Sequence, residues 1–413
     1  MKIVKLTAAQ FDNFASSHRY RNYYQTSMYA NVMSKFGYHS QFLGIINEYN
    51  KLMGATLIIY KTIWKKNKIA YAPRGLLFNY EDPNLLAELV HVLKDVLGKQ
   101  NFMLLRIDPC VPLTIRDAPG NILNFNENGS TVVDNLKSVG FKYKGKTLNF
   151  ETEKPRWEAI VMLQRSSEEI FAKLDKRLRN KIRKAANNGV AVVRDESKSI
   201  NKLFQFVGKK DKKPIDFYRQ MVMNYEKDID IYYAKIKTEN YVINSRRNYE
   251  KEIEYNAVLS DKVQDMSLDP KERNDYLNKK MESDKLITIY KNNLLRATDL
   301  LRQKPEGIII GAAMVIRYDN AAYIFTEGMD EDYGVLNANS LLKWQIIDDY
   351  NKEGFKYVNL NGISGDFDHD PKNNPYVGLN ESKLGFDATI TEYVGEFDLI
   401  LNSFAYNMYN KMK

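Results

Sequence analysis

No glycine occurs between Thr238 and Lys304, and the one proline in that stretch, Pro270, follows Asp269. Glycine and proline are the strongest interrupters of regular backbone, so a stretch that lacks one and sets the other at a helix start has little to become but helix. Asp269, Pro270 and Glu272 supply that start: an N-cap, a first turn with preset φ, and a first-turn carboxylate. Downstream, Ile287, Tyr290, Leu294, Ala297 and Leu301 recur at alternating steps of three and four, the seam of a coiled coil. Upstream, Tyr249, Ile253, Val258, Leu259, Val263 and Met266 form a less regular partner. Two antiparallel helices of about 30 residues each make an arm of ~45 Å, predicted over 238–305. Its 13 basic and 12 acidic residues nearly cancel, so the arm is no electrostatic grip on an anion.

On either side of the arm the periodicity changes to that of an α/β protein. Gln41–Ile46 and Leu52–Tyr60 read as a hairpin around Asn47–Lys51. An amphipathic helix from about Asn84 to Lys99 carries Leu85, Leu86, Leu89, Val92, Leu93 and Val96 at helical spacing, and the strand Phe102–Ile107 follows. The same order returns with a hairpin of Ile308–Ile316 and Ala322–Thr326, a helix from about Asn339 to Lys352, and a strand Tyr357–Leu360 ending in Asn361-Gly362. A chain of 413 residues exceeds one ordinary core. Two related α/β domains are therefore expected, over 1–145 and 146–413, with the arm inserted in the second.

A further helix is expected from Ser166, whose spacing to Glu169 is that of a capping box. Ile170, Leu174, Leu178 and Ile182 give it one apolar stripe running to the stop at Asn188-Gly189. Its other face holds Lys173, Lys176, Arg177, Arg179, Lys181, Arg183 and Lys184. Ile160 to Lys213 contains 15 Lys/Arg and 6 Asp/Glu, a surplus equal to the net +9 of the whole chain. Such concentration points to a surface for an anion: nucleic acid phosphates or an anionic membrane.

Other features narrow the chemistry. A single cysteine, Cys110, excludes an intramolecular disulfide and fits a reducing compartment. The start MKIVKLTAAQ lacks the apolar run of a signal peptide, and no window approaches the ~20 apolar residues of a membrane span. The four histidines, His18, His39, His91 and His369, have no metal-ligand spacing. Neither a Gly-x-Ser-x-Gly elbow nor a P-loop occurs. Asp366, Asp368 and Asp370 alternate like a calcium loop, but Pro371 and Val377 stand where glycine and glutamate are needed. No metal or organic cofactor is indicated. Polar residues at strand ends remain: Asp108 after Met103–Ile107, Arg74-Gly75, the loop Asn361–Gly365, and Lys383 before Gly385-Phe386.

Taken in order, these segments resemble the Fem family of peptidoglycan-branching aminoacyltransferases. The matching residues are Tyr71–Gly75, Leu105–Pro109, Arg179–Gly189, Lys343–Gln345, Asn361–Asp366, Lys383–Phe386 and Glu392–Phe397. The resemblance implies two tandem domains like the GNAT acyltransferase fold with a coiled-coil arm. It also implies transfer of an amino acid from aminoacyl-tRNA to an amine of a lipid-linked precursor (lipid II) or a nucleotide-linked one (UDP-MurNAc-pentapeptide). In that family Lys383 matches a lysine implicated in catalysis and Asp108 an acidic site residue. Lys213 and Phe217 fall where an arginine and a tyrosine contact the precursor, and Phe325 also replaces a tyrosine, leaving Tyr218 or Tyr323 to supply a hydroxyl. Met33 replaces a lysine, with Lys35 nearby. Arg74, Asn361 and Gly362 complete the implied substrate contacts. Lys173, Lys176, Arg177, Lys181 and Lys184 are the implied tRNA contacts. The expected setting is the cytoplasm, with peripheral contact at the membrane and association with a second copy or another Fem protein. An acyl-CoA-dependent transferase is the rival enzyme, but Tyr333–Ala338 lacks that class's basic, glycine-rich turn. A non-catalytic RNA- or membrane-binding protein is the rival from another class.

Overall fold

The computed structural model describes residues 1–64, 66–208 and 212–412, so Lys209 and Lys210 of the basic segment lie outside the described residues. In chain order the strands are β1 (Lys2–Lys5), β2 (His39–Ile46), β3 (Leu52–Trp64), β4 (Asn67–Ala72), β5 (Phe102–Ile107), β6 (Pro112–Arg116), β7 (Ile122–Phe125) and β8 (Phe141–Tyr143). Then follow β9 (Trp157–Met162), β10 (Val190–Arg194), β11 (Ile229–Ile236), β12 (Ile308–Tyr318), β13 (Ala321–Met329), β14 (Tyr357–Gly362), β15 (Thr389–Tyr393) and β16 (Phe397–Ile400).

They form two sheets in an α/β architecture. One has the order β1-β2-β3-β4-β5-β16-β8, the other β10-β11-β12-β13-β14-β9-β15-β6-β7. Each contains one parallel pair, β4 with β5 and β13 with β14. Parallel neighbours need a crossover, and in both cases a helix provides it: Pro83–Lys99 in the first, Ala338–Lys352 in the second. The first crossover helix starts where Asp82 accepts from the backbone N–H groups of Asn84 and Leu85, with Pro83 in its first turn. Leu86, Leu89, Leu93 and Leu97 on one face are fully buried, each stabilising the fold by roughly 2 kcal/mol.

The sheets exchange strands. The late strand β16 pairs with β5 and β8, while the early β6 pairs with β15. The chain therefore weaves between the sheets rather than finishing one before starting the other. Apolar packing follows suit: Phe11, Tyr29 and Val32 share a cluster with Leu203, Tyr218, Ile231 and Phe325. That cluster joins the two sheets.

Helices Thr238–Gln264 and Pro270–Gln303 lie between β11 and β12, which are hydrogen-bonded neighbours. The pair leaves the sheet through one opening, closed where Thr238 Oγ1 donates to the carbonyls of Lys304 and Pro305. Midway, Ser283 donates to Glu252 and Asn256 to Asp284.

The single helix expected from Ser166 is two. Ser167–Lys173 keeps its capping box with Glu169, and then the backbone turns extended at Leu174 and Asp175. Asp175 accepts from the N–H groups of Arg177 and Leu178 and so caps a new helix, Lys176–Asn187. Its own N–H donates to the Gly385 carbonyl. The i,i+4 stripe hid this break because Leu174 is buried on both accounts, as the last turn of one helix and the approach to the next.

Candidate functional site

Strand β14 ends in two residues that shape the site. Asn361 has a left-handed φ of 70°, uncommon for any residue with a Cβ. Its side chain holds the conformation by donating to the Ile324 and Phe325 carbonyls of β13 and accepting from the N–H of Gly362. Gly362 must be glycine for a different reason: a Cβ there would lie 2.6 Å from Pro155. The outcome is that the Gly362 carbonyl accepts a hydrogen bond of 2.8 Å from Lys383 Nζ.

Lys383 stands near the end of helix Val377–Leu384 and is only 7% exposed. Its pKa falls from the ordinary 10.5 to about 8. Burial causes most of this, Glu327 opposes it, Lys343 adds to it, and Glu158 opposes it. Lys343 is itself buried, 2.7 Å from Glu327 and 2.9 Å from Asn339. Around Lys383 opens a cleft of about 490 Å³, lined by Phe150, Pro155, Val207, Thr326, Asn361, Gly362 and Leu379. A desolvated ammonium in such a cleft, its head held by a neutral carbonyl, is suited to meeting negative charge that develops on a bound carbonyl.

Asp108 does not line this cleft. At the end of β5 it is 3% exposed, and its carboxylate accepts from the Arg74 N–H at 2.7 Å and the Tyr71 hydroxyl at 2.9 Å. Burial holds its pKa above the usual carboxylate value, opposed by Arg74. Arg74, also buried and at a left-handed φ of 54°, reaches across to Glu158 of β9 at 2.6 Å. Glu158 further accepts from Asn359 at 2.7 Å and from Tyr393 at 3.1 Å, and it lies in register with Gly362. A continuous chain of polar groups thus runs from Asp108 through Arg74 and Glu158 to the strand that holds Lys383. A buried charge without a partner is strongly destabilising, so this chain ties the two sheets together at the site.

Glu158 was not among the residues expected, although a carboxylate inside the apolar run Trp157–Met162 is the kind of anomaly that marks one. Asn359 carries the same signal within Tyr357–Leu360. Lys343 and Glu327 gave less warning, because each lies in a stretch where polar residues are frequent.

The remaining expected residues fall into two groups. Lys213, Phe217 and Phe325 come together: the two rings stack 6.2 Å apart, and Lys213 Nζ lies 5.5 and 5.6 Å from their centres. Phe36 meets Phe217 at 5.6 Å, which brings exposed Lys35, its neighbour, to the same region. Met33 packs into the apolar cluster behind. Neither tyrosine offers a free hydroxyl to replace those lost at Phe217 and Phe325. Tyr218 is fully buried, and the Tyr323 hydroxyl is 3.0 Å from that of Tyr357. Desolvation pushes the Cys110 thiol up to about 11, which favours its protonated form near neutral pH.

On helix Lys176–Asn187, Leu178, Ile182 and Ala185 are buried while Lys176, Arg177, Lys181 and Lys184 are exposed. Lys173, exposed at the end of the preceding helix, lies beyond the break. Among the described residues no carboxylate pairs with these five cations, so the face keeps its positive charge. Gly385 packs against Leu178 and Asp175, which places the start of this helix beside the end of the one bearing Lys383. No helix among the described residues is long and apolar enough to cross a membrane.

A model of the FemAB family matches residues 6–413. Aminoacyltransferase FemA of Staphylococcus epidermidis is 25% identical over 423 residues, spanning 100% of this chain and 99% of that protein. The lipid II:glycine glycyltransferase of the same species is 23% identical over 426 residues, spanning 100% and 96%. Among solved structures, the crystal structure of FemX superposes with a TM-score of 0.72 at 19% identity, covering 99% of both chains, a likeness of fold. On sequence over its whole length and on fold, the chain belongs to the FemAB family.

Proposed function

We propose that this protein is an aminoacyltransferase that moves an amino acid from aminoacyl-tRNA onto an amine of a peptidoglycan precursor, lipid-linked or nucleotide-linked. The observation that carries the reading is Lys383: a buried ammonium in a cleft, bonded to the Gly362 carbonyl. Relatives named for aminoacyl and glycyl transfer along the entire chain support it. The reaction is aminolysis of an ester. A neutral amine attacks the aminoacyl carbonyl, a C–N bond forms, the ester C–O bond breaks, and the amine's proton ends on the ribose oxygen. Negative charge builds on the carbonyl oxygen during attack, and the buried ammonium of Lys383 is placed to meet it. Asp108 acts through Arg74, holding the segment that anchors Glu158.

In this reading the two sheets are the centres of two GNAT-like units, 1–145 and 146–413 apart from the exchanged strands. Residues 238–305 are a coiled-coil arm of the second, available to another copy or another Fem protein. The exposed cations of Lys176–Asn187, with Lys173, take tRNA phosphates close to Lys383. The work is cytoplasmic and extends to the inner membrane face when the acceptor carries its lipid. Replacing Lys383 by alanine tests the assignment. Turnover should fall by 10²-fold or more while tRNA affinity stays within twofold. Equal losses in both would make Lys383 a binding lysine.

A further inference from the structure

Lys154 directly precedes Pro155, which lines the cleft and whose carbonyl accepts from Arg74. It is half-buried, and among the described residues no carboxylate pairs with its ammonium. Instead Nζ lies 4.0 Å from the centre of the Tyr24 ring and 5.8 Å from that of Tyr29. A ring face attracts a cation by roughly 0.5–2 kcal/mol but cannot satisfy an ammonium's three donors. The rings do not stop there. Tyr24 tilts against Tyr23 with ring centres 4.2 Å apart, Tyr23 meets Phe325 edge-on at 6.4 Å, and Lys213 Nζ lies 5.6 Å from the centre of the Phe325 ring. An aromatic floor therefore runs along the seam between the sheets with a lysine at each end.

Arg74 and Lys383 belong to the polar chain that runs from Asp108 through Glu158 to Gly362, and Lys154 stands outside it. Its field nonetheless reaches the site, since it is among the charges that lower the pKa of Asp108.

We infer that Lys154, seated on the Tyr24 ring, is a binding subsite for an anionic group of the acceptor, a carboxylate of its peptide or a phosphate of its carrier. It positions the acceptor amine at the mouth of the Lys383 cleft. The inference rests on the reading of the cleft as a site for a wall precursor, and it adds the residue that orients that substrate. It assigns Lys154 to positioning: the ammonium touches the acceptor, not the reacting carbonyl.

The test is direct binding to the full-length protein, measured calorimetrically for wild type, Lys154→Met and Lys154→Arg. Three probes are used: UDP-linked muropeptide, the same compound with its peptide carboxylates converted to amides, and the muropeptide lacking nucleotide and phosphates. For the unmodified probe, Lys154→Met should weaken binding about tenfold or more, and Lys154→Arg should restore most of it. If the deficit vanishes with the amidated probe, the partner is a carboxylate; if it vanishes with the phosphate-free probe, the partner is a phosphate. In transfer assays the same variant should raise KM for the acceptor and leave kcat within about threefold. The inference is overturned if Lys154→Met binds every probe as wild type does, or loses all three equally, or lowers kcat without touching KM. A Lys154→Met chain that fails to fold leaves Lys154→Gln, with wild-type melting, to decide between the same outcomes. Failure of wild type to bind any probe would instead sink the precursor reading, and this subsite with it.

Discussion

Replacing Lys383 by methionine keeps the length of the side chain and removes its charge, which isolates what burial does to the ammonium. In the folded protein the amine releases its proton near pH 8, against 10.5 ordinarily. Between those values the unfolded chain holds one proton more than the folded one. Wild-type stability therefore rises with pH across that window, by about 1.4 kcal/mol per pH unit relative to a chain with nothing to titrate there. Over the whole window the relative gain is about 3 kcal/mol. Near neutrality the charged lysine is a burden on the fold, and the methionine variant should match or exceed wild type despite leaving the Gly362 carbonyl without its donor, a loss of roughly 1–3 kcal/mol. The assay is denaturant unfolding of both proteins from about pH 7 to pH 10, comparing midpoints at equal slope. All other titrations cancel in the difference. A difference that stays flat with pH would show that Lys383 is not desolvated and is no cation held in reserve for the transition state. The same proton should set the alkaline limb of turnover: activity needs the ammonium and should decline through pH 8.

Three further outcomes follow from the geometry. Gly362→Ala puts a methyl 2.6 Å from Pro155, so it should cost about 1–3 kcal/mol in unfolding measurements and reduce turnover by moving the carbonyl that holds Lys383; wild-type values for both would contradict the close approach. Asp175→Ala removes the acceptor for two N–H groups and should destabilise by about 1 kcal/mol, whereas a continuous helix would be unaffected or stabilised. Neutralising Lys176, Arg177 and Lys181 together should reduce the slope of log affinity for tRNA against log salt by about 2, and an unchanged slope would place the RNA elsewhere.

How far the sequence could be read depended on whether a feature was local. Both crossover helices and the strand Phe102–Ile107 showed in periodicity, because each buries one face against one neighbour and its spacing records that. The capping box at Ser166 was legible for the same reason. The break at Asp175 was not, since an aspartate inside a basic stretch reads equally as a cap or as a solvated charge, and the deciding contact is a bond to Gly385 far along the chain. Strand exchange was invisible: β16 joins β5 across almost 300 residues, and nothing in either segment names the other. At the candidate site, Lys383 and Asp108 stood out as polar residues beside strands and took their expected roles from the resemblance, while Arg74 and Asn361 gave no sign of their left-handed backbone. Glu158, the acid that links them, could have been suspected from polarity alone, but its partners come from three distant segments.

Amino-acid transfer can be measured in a single assay. Purified protein is incubated with tRNA charged with radiolabelled amino acids and with either lipid-linked or UDP-linked muropeptide, and the label in the muropeptide is counted. Wild type should label at least one acceptor, and Lys383→Ala should lose 10²-fold or more of that label. Absence of label on both acceptors across a full set of charged tRNAs, from protein that binds tRNA normally, would contradict the transferase assignment.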